Sequence, residues 1–196
     1  MKYDDSIAEF WKLNGLNFIK PPIGGEFPEG QDVRILLHDI VQDSTVVEIG
    51  CGVGRLAGRF SPRQYNGFDI NHAAIDQANE SQPEYSFHYY NVGDVLPPSD
   101  FLLAYTVLLH VSDDDITNFV KSVTHQANNV IIGEILGREW RREGNPPVFN
   151  RSKQEYDAIM EVAGFRIVNT TEFPYANISR ADRQARMTIL HYKRES

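Results

Sequence analysis

From Thr45 to the end of the chain the hydrophobic pattern switches repeatedly between a strand period and a helix period, and this alternation confines the chain to one architectural class. TVVEIG reads as a strand, and Val53 to Phe60 as a helix with Leu56, Ala57 and Phe60 inward. YNGFDI is a second strand, followed by a helix from about Asn71 to Asn79 and by the strand YSFHYY. DFLLAYTVLL is an unbroken apolar run, as expected of a strand covered on both faces. Ser112 and Asp115 precede a helix whose Ile116, Phe119, Val120 and Val123 face the sheet, and NNVIIGEIL is a fifth strand. Ser152 and Glu155 open a capping box, and the helix they start ends at Gly164. FRIVNTTEF and ARMTILHYK close the chain with no helical pattern between them, so they should pair antiparallel. The expectation is an α/β, Rossmann-like domain: a seven-stranded, mostly parallel sheet with an antiparallel last strand.

Ahead of this core, Ser6 and Glu9 form a capping box, and Ile7, Phe10 and Trp11 share a helical face that Asn14-Gly15 stops. A Pro/Gly-rich loop, KPPIGGEFPEG, leads to a second amphipathic helix bearing Val33, Leu36, Leu37, Ile40 and Val41. A single domain follows, with residues 1–43 as an N-terminal helical cap and 44–196 as the α/β core. The net charge of −8 argues against a nucleic-acid or membrane-surface binder. The single cysteine, Cys51, excludes a disulfide framework and a CxxC metal site, and it reads as a small turn-filler. The first ten residues carry Lys2, Asp4, Asp5 and Glu9, and no apolar run approaches the roughly 18 residues of a membrane span. A cytoplasmic protein is the expectation, with oligomeric state left open.

In an open α/β sheet the ligand binds beyond the carboxyl ends of the strands, so those ends carry the functional question. Gly50, Gly52 and Gly54 alternate after the first strand, and two ligands compete for that turn. Gly52-Val53-Gly54-Arg55-Leu56-Ala57 fits the dinucleotide fingerprint GxGxxG/A, with Asp69 ending the next strand. Glu48, two residues before Gly50, would repel a pyrophosphate and favour a cationic ligand instead. The segment Glu48-Ile-Gly-Cys-Gly-Val-Gly54 resembles motif I of the class I S-adenosylmethionine-dependent methyltransferases, and the resemblance runs from about Thr45 to Phe165, with a matching closing hairpin. It implies that the three glycines pass beside the methionine part of S-adenosylmethionine and that Glu48 lies near its ammonium. It further implies that Asp69, with Ile70 next to it, takes the ribose hydroxyls. Asp94 would accept from the adenine amino group and Val95 donate its backbone N–H. The carbonyls of Ala104, Tyr105 and Thr106 would complete the ammonium site.

Methyl transfer asks mainly for alignment and exclusion of water, with a base only where the nucleophile starts protonated. His110, just past the fourth strand, is the candidate base, the other reading being a hydrogen-bonded histidine beneath the pocket. Glu134, near the end of the fifth strand, is expected at the pocket rim. Tyr3 and Trp11 of the cap, Arg138 and Arg141 of the segment after the fifth strand, and Arg183 before the last strand are the candidate acceptor contacts. The arginines suit an anionic acceptor such as a sugar phosphate or carboxylated metabolite, or else belong to solvated loops. Asn145-Pro146-Pro147-Val148-Phe149 imitates the Asn-Pro-Pro-aromatic motif of amino-methylating enzymes, but it follows the wrong strand and Val148 intervenes. The expected function is methylation of a small molecule, at oxygen rather than nitrogen, using S-adenosylmethionine and neither metal nor nucleic acid. A non-catalytic protein binding S-adenosylmethionine or S-adenosylhomocysteine is one alternative; a nicotinamide-dependent oxidoreductase, which has no Tyr-xxx-Lys pair here, is another.

Overall fold

A computed structural model describes residues 5–18, 32–144, 146–174 and 186–195. Seven strands form one sheet: β1 Val46–Ile49, β2 Tyr65–Asp69, β3 Ser86–Tyr89, β4 Ser99–Tyr105, β5 Ala127–Ile135, β6 Phe165–Pro174 and β7 Arg186–Arg194. Their order is β3-β2-β1-β4-β5-β7-β6. β1 to β5 pair in parallel, while β7 lies antiparallel between β5 and β6. The order in which strands are added reverses between β1 and β4, because β2 and β3 lie to one side of β1 and the later strands to the other. That makes the carboxyl ends of β1 and β4 the natural crevice.

Five helices accompany the strands among the described residues: α1 Asp5–Asn14, α2 Val33–Val41, α3 His72–Ser81, α4 Ile116–Thr124 and α5 Lys153–Val162. The period-2 alternation of β1 sends Val46 to one face and Val47 and Ile49 to the other. Under the first face, α2 and α3 supply Val33, Leu37, Val41, Ile75 and Ala78. Under the second, α4 and α5 supply Ile116, Phe119, Val120, Val123, Tyr156 and Met160. The capping box at Ser152 and Glu155 is formed as expected.

One element differs from expectation. Val53 to Phe60 is not an α-helix but a series of turns with a short 3-10 segment, Ala57–Arg59. Gly52 and Gly54 adopt φ of 54° and 75°, outside the helical region, and Gly58 follows. The few residues left between glycines cannot support a costly helix nucleus.

Candidate active site

The turn after β1 is built from glycine. Gly50, Gly52 and Gly54 have φ of 72°, 54° and 75°, a region closed to side chains at a cost of about 1–2 kcal/mol. A Cβ on Gly50 would meet Val107 Cγ2 at 2.3 Å, so this glycine also permits contact with the loop after β4. Gly54 faces away from the cavity, and its Cβ would strike the Phe87 ring at 2.5 Å. Asp69, at the end of β2, braces the turn: Oδ2 accepts from Gly52 N at 2.8 Å and Oδ1 from Asn71 N at 2.8 Å. Burial raises its pKa against those bonds.

Glu48 stands elsewhere than expected. It is fully buried beneath the turn and is absent from the cavity wall. Its Oε2 accepts from Tyr65 Oη at 2.5 Å, and burial lifts its pKa to about 7. Cys51 is buried beside it, its thiol held protonated by burial and by the neighbouring acids.

Beyond these strand ends lies a cavity of about 390 Å³. One end, over β2 and β3, is lined by Asp69, Ile70, Tyr90 and Val92. The other, over β4, β5 and β7, is lined by Tyr105, Thr106, Ile135 and Met187. Gly50, Gly52 and Arg55 lie in its wall as well. Helix α1 covers it with Ile7, Ala8 and Trp11. Asn71 fastens that cover: its Nδ2 donates to the carbonyls of Trp11 and Lys12 at 2.9 and 3.1 Å, while its Oδ1 caps α3 at Ala74 N. Trp11 in turn lies against His110, ring centroids 4.2 Å apart.

His110 is in the cavity wall, and its Nδ1 is buried with no hydrogen-bond partner among the described residues. Burial lowers its pKa to about 4, against a raising hydrogen bond to the Pro147 carbonyl, so the ring is neutral near pH 7. Thr106, at the mouth of the same loop, has φ of 56°, a strained value for a β-branched residue. The loop is held there from below. Glu134 Oε1 accepts from Val107 N at 3.0 Å and Leu109 N at 3.3 Å. Arg151 donates to the carbonyls of Leu108 at 2.9 Å and Val111 at 2.7 Å, and to Asp113 at 2.8 Å.

These contacts correct several expectations. Glu134 is 0% exposed and supports the loop from beneath instead of meeting an acceptor at a rim. Arg138 pairs with Glu155 through Nε at 2.9 Å, and Arg141 pairs with Asp113 at 2.6 Å. Neither lines the cavity, because nearby acids claim both. Asp94 closes a turn, accepting from Asn91 N at 2.8 Å, and Val95 is 74% exposed; neither belongs to the wall. Ala104 packs into the core, leaving Tyr105 and Thr106 at the cavity. Tyr3 and Arg183 lie outside the described residues. Sequence reading passed over Arg55 and Asn71 as site residues, and saw Arg151 only as one charge of the basic segment after the fifth strand. Asn71 had a signal in its place two residues after the acid that ends β2, and Arg55 in its place directly after the third glycine. Arg151 sits in a charged stretch that resembles any solvated loop.

No protein-family model matches the sequence, and no curated protein matches it. Solved structures do. Magnesium protoporphyrin IX methyltransferase (ChlM) from Synechocystis PCC 6803 with bound SAM superposes with a TM-score of 0.69 at 15% identity, over 99% of each chain. The CcbJ methyltransferase from Streptomyces caelestis gives 0.69 at 12% identity, over 99% of this chain and 100% of its own. The mitomycin 7-O-methyltransferase MmcR gives 0.63 at 17% identity, over 83% of this chain and 52% of its own. At such identities the likeness speaks to architecture. With a strand order of 3-2-1-4-5-7-6, a reversed β7 and superpositions that run along almost whole chains, this protein has the fold of the class I S-adenosylmethionine-dependent methyltransferases.

Proposed function

We propose that this protein is an S-adenosylmethionine-dependent methyltransferase acting on a small, anionic acceptor, at oxygen in preference to nitrogen. The observation that carries the reading is the roofed cavity at the β1/β4 crevice, in which Gly50, Gly52 and Asp69 face His110 and Trp11. Its volume, about 390 Å³, suits small molecules and not a folded or duplex substrate. The residues fit the cofactor: Gly50 and Gly52 leave bare backbone for its methionine part, Asp69 offers a carboxylate to its ribose, and Ile70 and Val92 offer an apolar site to its base. The bound cofactor supplies a methyl carbon activated by a sulfonium leaving group.

The chain's own share is alignment and dryness. Helix α1, pinned by Asn71, keeps water from the crevice, and Gly50 and Thr106 fix its floor. Neutral His110, in the cavity wall, is the group available to draw off the proton of an acceptor hydroxyl as its oxygen attacks. A dinucleotide is disfavoured on different grounds from those the sequence offered. Glu48 does not face the crevice, but the turn leads into no α-helix whose N-terminus would hold a pyrophosphate. Arg138 and Arg141 are paired with acids, and Arg55 is the cation in the wall that an acceptor's negative charge would meet.

Calorimetry with S-adenosylmethionine, S-adenosylhomocysteine and NAD, on wild type and Asp69→Ala, tests the reading. Binding of the first two at about micromolar Kd, lost by at least about tenfold in Asp69→Ala, is the expected result. Binding of NAD alone would overturn it.

A further inference from the structure

We infer that Arg55 is a carboxylate-binding residue in the cavity, held ready by Thr106 and Tyr105. The inference rests on the methyltransferase reading and extends it to a ligand group. Among the described residues Arg55 is the one basic side chain in the cavity wall apart from the neutral His110, and most of that wall is apolar. Its guanidinium lies 5.0 Å over the Tyr105 ring, and Nη2 donates to Thr106 Oγ1 at 2.8 Å. It forms no ion pair with any described residue. The other half-buried or buried arginines differ: Arg34 has Asp32, Arg141 and Arg151 have Asp113, and Arg194 has the carbonyls of Thr124, His125 and Ala127. Glu48 feels the Arg55 charge, but its own hydrogen bond goes to Tyr65.

A cation held in one place, partly desolvated and without an acid, calls for an anion from the ligand. The planar fork favours a carboxylate, which takes two parallel N–H bonds. Sheet order says where that anion lies. Asp69 ends β2, whereas Tyr105 ends β4 and Thr106 follows it, two strands along and about 10 Å away at ordinary strand spacing. Past β4 the wall continues as Ile135 and Met187, an apolar surface for a hydrophobic body. A ligand spanning the cavity thus meets a carboxylate at the ribose end and a guanidinium toward the far end. Two ligands can supply the matching group: the amino-acid carboxylate of the cofactor, or a carboxylate on an otherwise apolar acceptor.

The test compares wild type, Arg55→Met and Arg55→Lys, each checked for folding by thermal melting. Calorimetry measures S-adenosylhomocysteine against 5′-methylthioadenosine, which shares the nucleoside and lacks the carboxylate. Ligand-observed NMR then measures benzoate against neutral benzamide on protein saturated with S-adenosylhomocysteine. A loss of about 10- to 100-fold for S-adenosylhomocysteine in Arg55→Met, with 5′-methylthioadenosine unchanged, supports the inference with the cofactor as source. Unchanged S-adenosylhomocysteine with loss of a benzoate preference supports it with the acceptor as source. Arg55→Lys, which keeps charge without the fork, recovers only part of either loss. Equal behaviour of wild type and Arg55→Met toward all four probes overturns it. Failure of wild type to bind S-adenosylhomocysteine is read separately, and removes the methyltransferase reading together with this extension.

Discussion

Two loops meet at the crevice, and they reach unusual backbone conformations by opposite means. The loop after β1 uses glycine: three positive-φ positions need no side-chain support to be tolerable. The loop after β4 places a threonine at φ 56° and then three residues whose N–H and C=O groups point into the interior. It is held by side chains from far along the chain, Glu134 on its amides and Arg151 on its carbonyls. The first loop is a local solution and the second a tertiary one. The difference teaches that residues lining one site can owe their positions to physics on quite different scales of sequence separation.

Removing Arg151 should have the largest effect. The side chain is 1% exposed, and Arg151→Met leaves the Leu108 and Val111 carbonyls without their donor and Glu134 without its nearby cation. Loss of about 3–5 kcal/mol in urea unfolding is expected, as for other broken buried charge networks. A loss below about 1 kcal/mol would mean that the loop holds itself, and the contrast between the loops would dissolve.

The glycine loop should respond less. Gly50→Ala combines the left-handed backbone penalty with a clash against Val107, so about 2–4 kcal/mol is expected. The same contact joins the loops, which a double-mutant cycle can measure. Val107→Ala in the Gly50→Ala background should remove the steric part and leave the backbone part, giving a coupling of about 1–2 kcal/mol. No coupling would make the two loops independent despite their contact.

This division also explains what could be read in advance. Sheet composition, the reversed β7, the glycine turn and the place of Asp69 all rest on local periodicity or on glycine's conformational freedom, which adjacent residues display. Glu134 and Arg151 could be seen as charged residues but not as buried ones, because their partners are backbone groups 25 to 43 positions away. The same limit misplaced Glu48, whose partner Tyr65 is 17 positions on and on another strand. It misread Arg138 and Arg141 as free cations, when Glu155 and Asp113 lie close only after folding. The short segment Val53 to Phe60 failed for a local reason: its glycines were read for ligand approach, when their backbone angles also forbid the helix.

The smallest and most selective effect is the pH dependence of Glu134. Burial raises its pKa from 4.5 to about 8 despite the loop amides and Arg151; Oε1 takes both amides, and Oε2 has no partner among the described residues. A carboxyl with a raised folded pKa binds more protons folded than unfolded, so its contribution to stability is complete below the unfolded value and is lost as pH climbs through about 8. Glu48 acts with the same sign under the glycine loop, but only up to about 7. His110 acts oppositely, yet its effect is confined between about 4 and its ordinary 6.5. The interval from pH 7 to 8 is therefore where the two loops separate. Wild type should lose melting temperature across it, and Glu134→Gln, which keeps an acceptor for the amides and cannot ionise, should melt at a nearly constant temperature there. Between about 6.5 and 7, above the range of His110, the variant should retain the slope that Glu48 supplies. If Glu134→Gln instead parallels wild type between 7 and 8, the titrating group lies elsewhere, and the carboxyl supporting the β4 loop is charged throughout.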